Sequence, residues 1–365
     1  MRENKDKQNL REDLIRVIES QKNICDRYED IRRINEYAGD GRFSLVFKAM
    51  DINNKRTLVA LKFFDPFYNL PDYTYRQECF MRESDILKNL KGQKNILPLI
   101  QEKTNFTLNL KTENGIALPL QLIFYSAKLA KFNILDYIAK QETDYLTNIL
   151  FFREMCKAVQ RIHKKKIIHR DLKPSNFLVY NKMDVCLSDF GTGKYSVPDG
   201  SQLLNYYFAP VGDLRYTAPE MLGGLYFSNH HCFCADKYSL GAILFELFTK
   251  TILHYYVFKE DNIGRLITYF STIPERSRIE VFDGFISSLS KSRELPSVRD
   301  FNNTIPKDIS HQVDILYKRL ACLDYRKRGN DFQRIFLRIN ICEKVIRYHE
   351  KIERLRRKKE ENHAE

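Results

Sequence analysis

Apolar residues recur along the chain in two rhythms, and the rhythm changes partway. Over residues 1–27, Leu10, Leu14, Val17, Ile18 and Ile24 gather on one side of a charged stretch, which predicts a helix. A strand-rich section follows. Leu45, Val46 and Phe47, a polar turn from Asp51 to Lys55, and the run from Leu58 to Phe64 read as a hairpin. Residues 75–90 read as a helix and Leu118–Tyr125 as a further strand. From about residue 133 the helical rhythm takes over. Ile149, Phe152, Cys156, Val159 and Ile162 make one stripe, and Leu240, Ile243, Leu244 and Leu247 another. From Cys342 to the end the pattern is a charge-dense helix with a thin seam of Val345, Ile346, Ile352 and Leu355. This predicts an α+β chain. Its parts are a charged helical extension (1–27), a small strand-rich lobe with one main helix (about 28–125), a larger helical lobe (about 126–341) and a basic helical tail (342–365). Ligands commonly occupy the crevice of such a plan.

Composition narrows the class. The 365 residues are 43% hydrophobic, with 25 Phe and 21 Tyr, enough for a sizeable core and against wholesale disorder. No run approaches the roughly 20 apolar residues of a membrane span. The charged start of the chain does not read as a secretory leader. An intracellular protein follows as the expectation, cytoplasmic with the nucleus as the alternative. Of the eight cysteines, Cys79, Cys156 and Cys186 fall in apolar stretches, as reduced thiols do. A net charge of +13 favours acidic partners and phosphates. No nucleic-acid reader motif accompanies it, and the runs Lys164–Lys166 and Arg356–Lys359 read as solvated faces, so no dedicated nucleic-acid binding is expected.

Candidate chemistry lies in four places. Gly39-Asp40-Gly41-Arg42-Phe43-Ser44-Leu45-Val46 has glycines at i and i+2, which let backbone N–H groups approach phosphate oxygens; alone it is also an ordinary hairpin turn. Lys62, in the apolar run Val59-Ala60-Leu61-Lys62, is either a snorkelling edge residue or a cation for nucleotide phosphates. Glu83 would hold it in place and is preferred to Glu78 by its register with Ile86 and Leu87. His169-Arg170-Asp171-Leu172-Lys173-Pro174-Ser175-Asn176 puts a carboxylate, an ammonium and an amide at short spacings, the pieces that phosphoryl transfer uses. Asp189, after the apolar Val185-Cys186-Leu187 and before Gly191, suits a hard oxygen ligand for Mg2+. Residues 176–189 are long enough for a strand, a turn and a return strand.

Taken in this order, these motifs resemble the eukaryotic-type protein kinases of the serine/threonine kind, over about residues 28–341. The resemblance implies ATP and Mg2+ as cofactors and a protein substrate phosphorylated on Ser or Thr, the preference resting on Lys173. It implies that Gly39 to Ser44 and Val46 cover the nucleotide, with Ser44 where many members have a third glycine. Ala60 and Leu178 would sandwich the adenine, and Lys62 would pair with the α/β-phosphates and Glu83. Asp171 would orient the hydroxyl, Lys173 would neutralise the γ-phosphate, and Asn176 and Asp189 would hold Mg2+. Ala218-Pro219-Glu220 would close an activation segment opened at Asp189, Arg328 would pair with Glu220, and Asp236 would cap the catalytic loop. Arg170 would receive a phosphate from that segment, although no hydroxyl sits at the usual distance before Glu220.

The chain departs from that family at Tyr238, where Trp is usual, at Asp324-Tyr325, where Asp-Pro is usual, and at Asp213, where Thr is usual. A second carboxylate beside Asp171 would raise a pKa and shift the pH optimum upward. It also gives the alternative reading of a pseudokinase-type scaffold or a kinase of atypical activity. His230-His231-Cys232-Phe233-Cys234 has zinc-ligand residue types packed too tightly for a tetrahedron, and reads as a loop leading into a central helix. The motifs name neither the peptide substrate nor the oligomeric state.

Overall fold

The computed structural model describes residues 2–34, 44–67, 73–111, 117–140, 144–181, 183–196, 211–258, 260–328 and 331–364. The chain divides into two compact units, one of residues Met1–Asn133 with Leu178–Gly193, the other of Ile134–Phe177 with Lys194–Glu365.

The first unit is built on a six-stranded antiparallel sheet. In chain order its strands are β1 (Asn23–Ile24), β2 (Tyr28–Arg33), β3 (Ser44–Asp51), β4 (Thr57–Phe64), β5 (Leu99–Lys111) and β6 (Ala117–Lys128), arranged β1-β2-β3-β4-β6-β5. The expected hairpin is β3–β4, with Ser44 opposite Phe64 and Asp51 opposite Thr57. Strand alternation sends Leu45, Phe47, Ala49, Val59, Leu61 and Phe63 to one buried face and leaves Val46, Ala60 and Lys62 half-buried on the other. Helix α1 (Arg2–Glu19) covers the first face, its Leu14, Ile15 and Ile18 joining the same apolar cluster. The charged extension is thus part of the sheet's core. It is also shorter than expected: Ser20 Oγ and Gln21 Nε2 both donate to Val17 O and close the helix end. Ile24 consequently lies on β1, and Leu10 stays exposed.

Helix α2 (Tyr73–Asn89) matches the expected helix and buries Cys79, Phe80, Glu83, Ile86 and Leu87. Strand β5 has no counterpart in the sequence reading. Its buried Leu108 alternates with exposed Asn105, Thr107 and Asn109, and its pairing with β6 slips between Leu99 and Thr104. A polar, irregular edge strand carries a weak apolar signal. The remaining short strands are β7 (Phe132–Asn133), β8 (Ile167–Ile168), β9 (Phe177–Val179), β10 (Val185–Leu187) and β11 (Lys194–Tyr195). They form a three-stranded sheet, β10-β9-β7, and the pair β11-β8.

The second unit is mainly helical. In α3 (Tyr145–Lys164), Asp144 caps the first turn by accepting from Leu146 N and Thr147 N, and the whole apolar stripe from Ile149 to Ile162 is buried. Helix α4 (Asn229–Thr249) is buried on nearly every side and is the core element. Residues 230–234 lie within its first turns, not in a preceding loop, and His231 packs its ring on Tyr325 at 4.5 Å. After α5 (Glu260–Ser271), α6 (Glu275–Ser292) and α7 (Lys307–Leu320) comes the long α8 (Phe332–Ala364). The first half of α8 is docked: Ile335, Ile339, Cys342 and Ile346 are buried and Glu343 pairs with Arg153. Residues 353–362 are exposed throughout, as a solvated charge run would be. All eight cysteines are free thiols, and among the described residues no helix is long and apolar enough to cross a membrane.

Candidate active site

In the first unit, the β4 alternation that buries Leu61 and Phe63 places Lys62 on the opposite face, across from Val46. Its Nζ lies 2.7 and 2.9 Å from the two carboxylate oxygens of Glu83, which α2 carries, and 3.3 Å from Asp189 Oδ1. Glu83, rather than Glu78, holds the ammonium. Burial works against the charge on Lys62. The carboxylates of Glu83 and Asp189, with Tyr125, outweigh it and hold the ammonium well above its ordinary pKa. Asp189 follows β10 in a left-handed conformation, with φ of 61°. That conformation is costly for a residue with a Cβ, and a known sign of a constrained site. Ala60 on β4 and Leu178 on β9 are both half-buried. Ser44 is buried at the start of β3. Gly39, Asp40, Gly41, Arg42 and Phe43 lie outside the described residues.

In the second unit, Asp171 sits between β8 and a short helical turn, Pro174–Asn176. Both of its carboxylate oxygens are engaged. Oδ2 lies 2.9 Å from Lys173 Nζ, and Oδ1 accepts the Asp213 backbone N–H at 2.8 Å. Asn176 Nδ2 donates to the Asp171 carbonyl at 2.7 Å. The loop itself hangs on Asp236 of α4, whose carboxylate accepts the His169 and Arg170 N–H groups, each at 2.9 Å, and meets His163 Nε2 at 2.8 Å. Burial pushes the Asp236 pKa up, but the His163 hydrogen bond and charge and the His169 N–H bring it below the ordinary value. Arg170 bends the chain with φ of 67°.

Two further residues shape this half. Gly212 has φ of 90°, and a Cβ there would stand 2.6 Å from Arg170 O and 2.9 Å from Asp171 Oδ1. Only glycine lets the backbone pass close enough for Asp213 N–H to reach Asp171. Sequence reasoning singled out Asp213 and passed over the glycine before it, because a positive φ leaves no local pattern. The Asp213 carboxylate has a cation of its own. It is gripped by Arg215, with Nη2 at 2.6 Å and Nε at 3.0 Å, and caps Arg215 N. Burial raises its pKa, while Arg215, with Lys173 behind it, brings the net value below the ordinary one. The second carboxylate expected near Asp171 is thus neutralised by its neighbour Arg215.

Glu220 and Arg328 form a buried ion pair, in which Arg328 also donates to the carbonyls of Cys322, Cys234 and Leu323. The Arg328 guanidinium stacks over the Tyr238 ring at 5.0 Å. Tyr216 OH donates to Glu246 Oε2 at 2.7 Å, and Thr217 Oγ1 to Asp213 O at 2.9 Å. Both hydroxyls are therefore used internally. Ser201, Tyr206 and Tyr207 lie outside the described residues.

A family model described as protein kinase domain matches residues 32–335. The chain is similar to extracellular signal-regulated kinase 2 of Dictyostelium discoideum, at 30% identity over 62% of this chain and 56% of that protein. It is similar to mitogen-activated protein kinase 15 of Xenopus laevis at 26% identity, over 83% of this chain and 48% of that protein. A third relative is the probable serine/threonine-protein kinase glkA of Dictyostelium discoideum, at 27% identity over 66% of this chain and 44% of that protein. The chain thus spans about half the length of the curated relatives it matches.

Proposed function

The chain belongs to the protein kinase family, and we propose that it transfers the γ-phosphoryl group of Mg2+-bound ATP to serine or threonine hydroxyls of a protein. The observation that carries this reading is the Asp171 carboxylate, held at one oxygen by Lys173 and at the other by a backbone N–H. Phosphoryl transfer asks little covalent work of a protein and much positioning. Asp171 would accept a hydrogen bond from the substrate hydroxyl and aim its oxygen at phosphorus. Lys173, already beside it, would meet the charge on the transferring group. Lys62, kept cationic by Glu83 and Asp189, would grip the nucleotide phosphates.

The donor set suits a hard cation. Asp189 offers carboxylate oxygens, and with Asn176 Nδ2 bonded to the Asp171 carbonyl, the oxygen end of that amide would be left to hold the metal. When bound, Mg2+ would neutralise charge developing on the phosphate oxygens. Val46, Ala60 and Leu178, half-buried and apolar, would face the adenine. Gly39 to Phe43 and Ser44 would cover the phosphates. Lys173 within Asp171-Leu172-Lys173-Pro174 supports Ser/Thr over Tyr, as do the names of the relatives.

The scaffold alternative drew on Asp213. The Arg215 grip on its carboxylate and the bond from its N–H to Asp171 support the active reading over that alternative. Phosphoamino-acid analysis of a labelled protein substrate tests the preference. Phosphoserine and phosphothreonine are expected, and phosphotyrosine alone would overturn it.

A further inference from the structure

Asp65, directly after β4, is fully buried, yet it lies in the same strand-to-helix connection that leads to Glu83. A buried carboxylate is costly unless it is paired. Here Oδ1 accepts the Phe67 N–H at 3.0 Å and Oδ2 accepts Arg11 Nε at 2.5 Å. Arg11 belongs to α1, which precedes the family-matched span of residues 32–335. The carbonyl of the same Asp65 accepts Arg76 Nη1, from α2, at 2.9 Å. Asp65 therefore joins the helix on one face of the sheet to the helix on the other, through its side chain and its main chain respectively.

The connection continues to the catalytic pair. Arg76, Phe80 and Glu83 stand at steps of four and three, on one face of α2. The Arg76 guanidinium covers the Phe64 ring at 5.7 Å, and Phe64 meets Phe80 at 5.9 Å. Phe64 shares its face of β4 with Lys62, which Glu83 grips. A shift of the Asp65 backbone would move the Arg76 anchor, and with it the turn of α2 that presents Glu83.

We propose that Arg11 is a positioning residue for the phosphate-binding lysine: through Asp65 it holds α2 where Glu83 meets Lys62. This rests on the kinase reading for its consequence in turnover, but the mechanical coupling stands apart from it. Truncating α1 would uncover the core that Leu14, Ile15 and Ile18 complete, so the test uses point variants of the full chain. Arg11→Ala removes the cation, Arg11→Lys keeps the charge, and Arg16→Ala is the control. Arg16 sits on the same helix, is largely exposed, and among the described residues forms its ion pairs locally, with Glu12 and Asp13.

Two readouts are taken well below the melting temperature of every variant. The first is hydrogen exchange of the backbone amides of residues 79–87. The second is kcat and KM for ATP with a protein substrate. Arg11→Ala is expected to speed exchange in α2 and to lower kcat about tenfold or more, as small displacements of positioned groups do. Arg11→Lys should recover most of both, and Arg16→Ala should change neither. Unchanged exchange in the Arg11→Ala protein overturns the proposal, whatever happens to turnover. So does a loss of activity that Arg16→Ala reproduces. If the parent chain transfers no phosphate, the kinase reading fails, while the exchange data still decide the coupling.

Discussion

Gly212 illustrates how much of the site depends on a single atom that is not there. Its φ of 90° and the 2.6 Å approach to Arg170 O leave no room for a methyl group. Gly212→Ala should push the backbone away from Asp171, break the Asp213 N–H bond and lower kcat by about tenfold or more, with a smaller change in KM for ATP; steady-state kinetics read it. Asp213 leads to the opposite expectation. Its bond to Asp171 comes from the main chain, which any residue supplies, and its carboxylate is spent on Arg215. The pH–rate profiles of Asp213→Thr and the parent should therefore superimpose. An upward pH optimum in the parent alone would restore the like-charge reading. Glu246 is a third residue whose environment decides its chemistry. Burial lifts its carboxyl from 4.5 to about 7, with the Tyr216 hydrogen bond pulling back. The folded protein keeps a proton there that the unfolded chain releases nearer 4.5, so the stability this confers is complete below the unfolded value and lost as pH rises toward 7. Glu246→Gln should flatten the dependence of denaturation midpoint on pH across that window, and an unchanged slope would contradict it.

Elements hold these residues in place by a few buried polar contacts. Arg328 and Glu220 are both fully buried, and Arg328 satisfies three further carbonyls. Arg328→Ala leaves Glu220 uncompensated and should cost about 3–5 kcal/mol in chemical denaturation. A loss below 1 kcal/mol would mean that water reaches the carboxylate. Helix α4 plays the equivalent part for the catalytic loop, since Asp236 accepts two of the loop's N–H groups. Much of this was legible in the chain. The stripe in α3, the β3–β4 hairpin and α2 follow from apolar periodicity, because one face of each meets a core. Strand β5 was not legible, because an edge strand buries only part of one face. The end of α1 was missed because Ile24 continues the apolar side after the helix has stopped. Charge dominates the tail and hides that its start is docked, with Cys342 and Ile346 buried one helical turn apart.

At the scale of the whole molecule, the motifs pointed to candidate site residues but not to their conformations. The left-handed backbones of Arg170 and Asp189, the Arg215 grip on Asp213 and the bridge from Arg11 to Asp65 join residues through geometry that no local pattern encodes. Each compact unit carries part of the proposed machinery, with Lys62, Glu83 and Asp189 in the first and Asp171, Lys173 and Asn176 in the second. In-line transfer requires both parts to act on one nucleotide and one hydroxyl. The most direct test is phosphate incorporation into a protein substrate from Mg2+ and labelled ATP, comparing the purified parent with Asp171→Asn. The parent should incorporate phosphate, and the variant, which keeps the shape but loses the carboxylate, should fall by about a hundredfold or more. Equal incorporation by the two proteins, or none by the parent, would contradict the assignment of Asp171 as the residue that orients the hydroxyl.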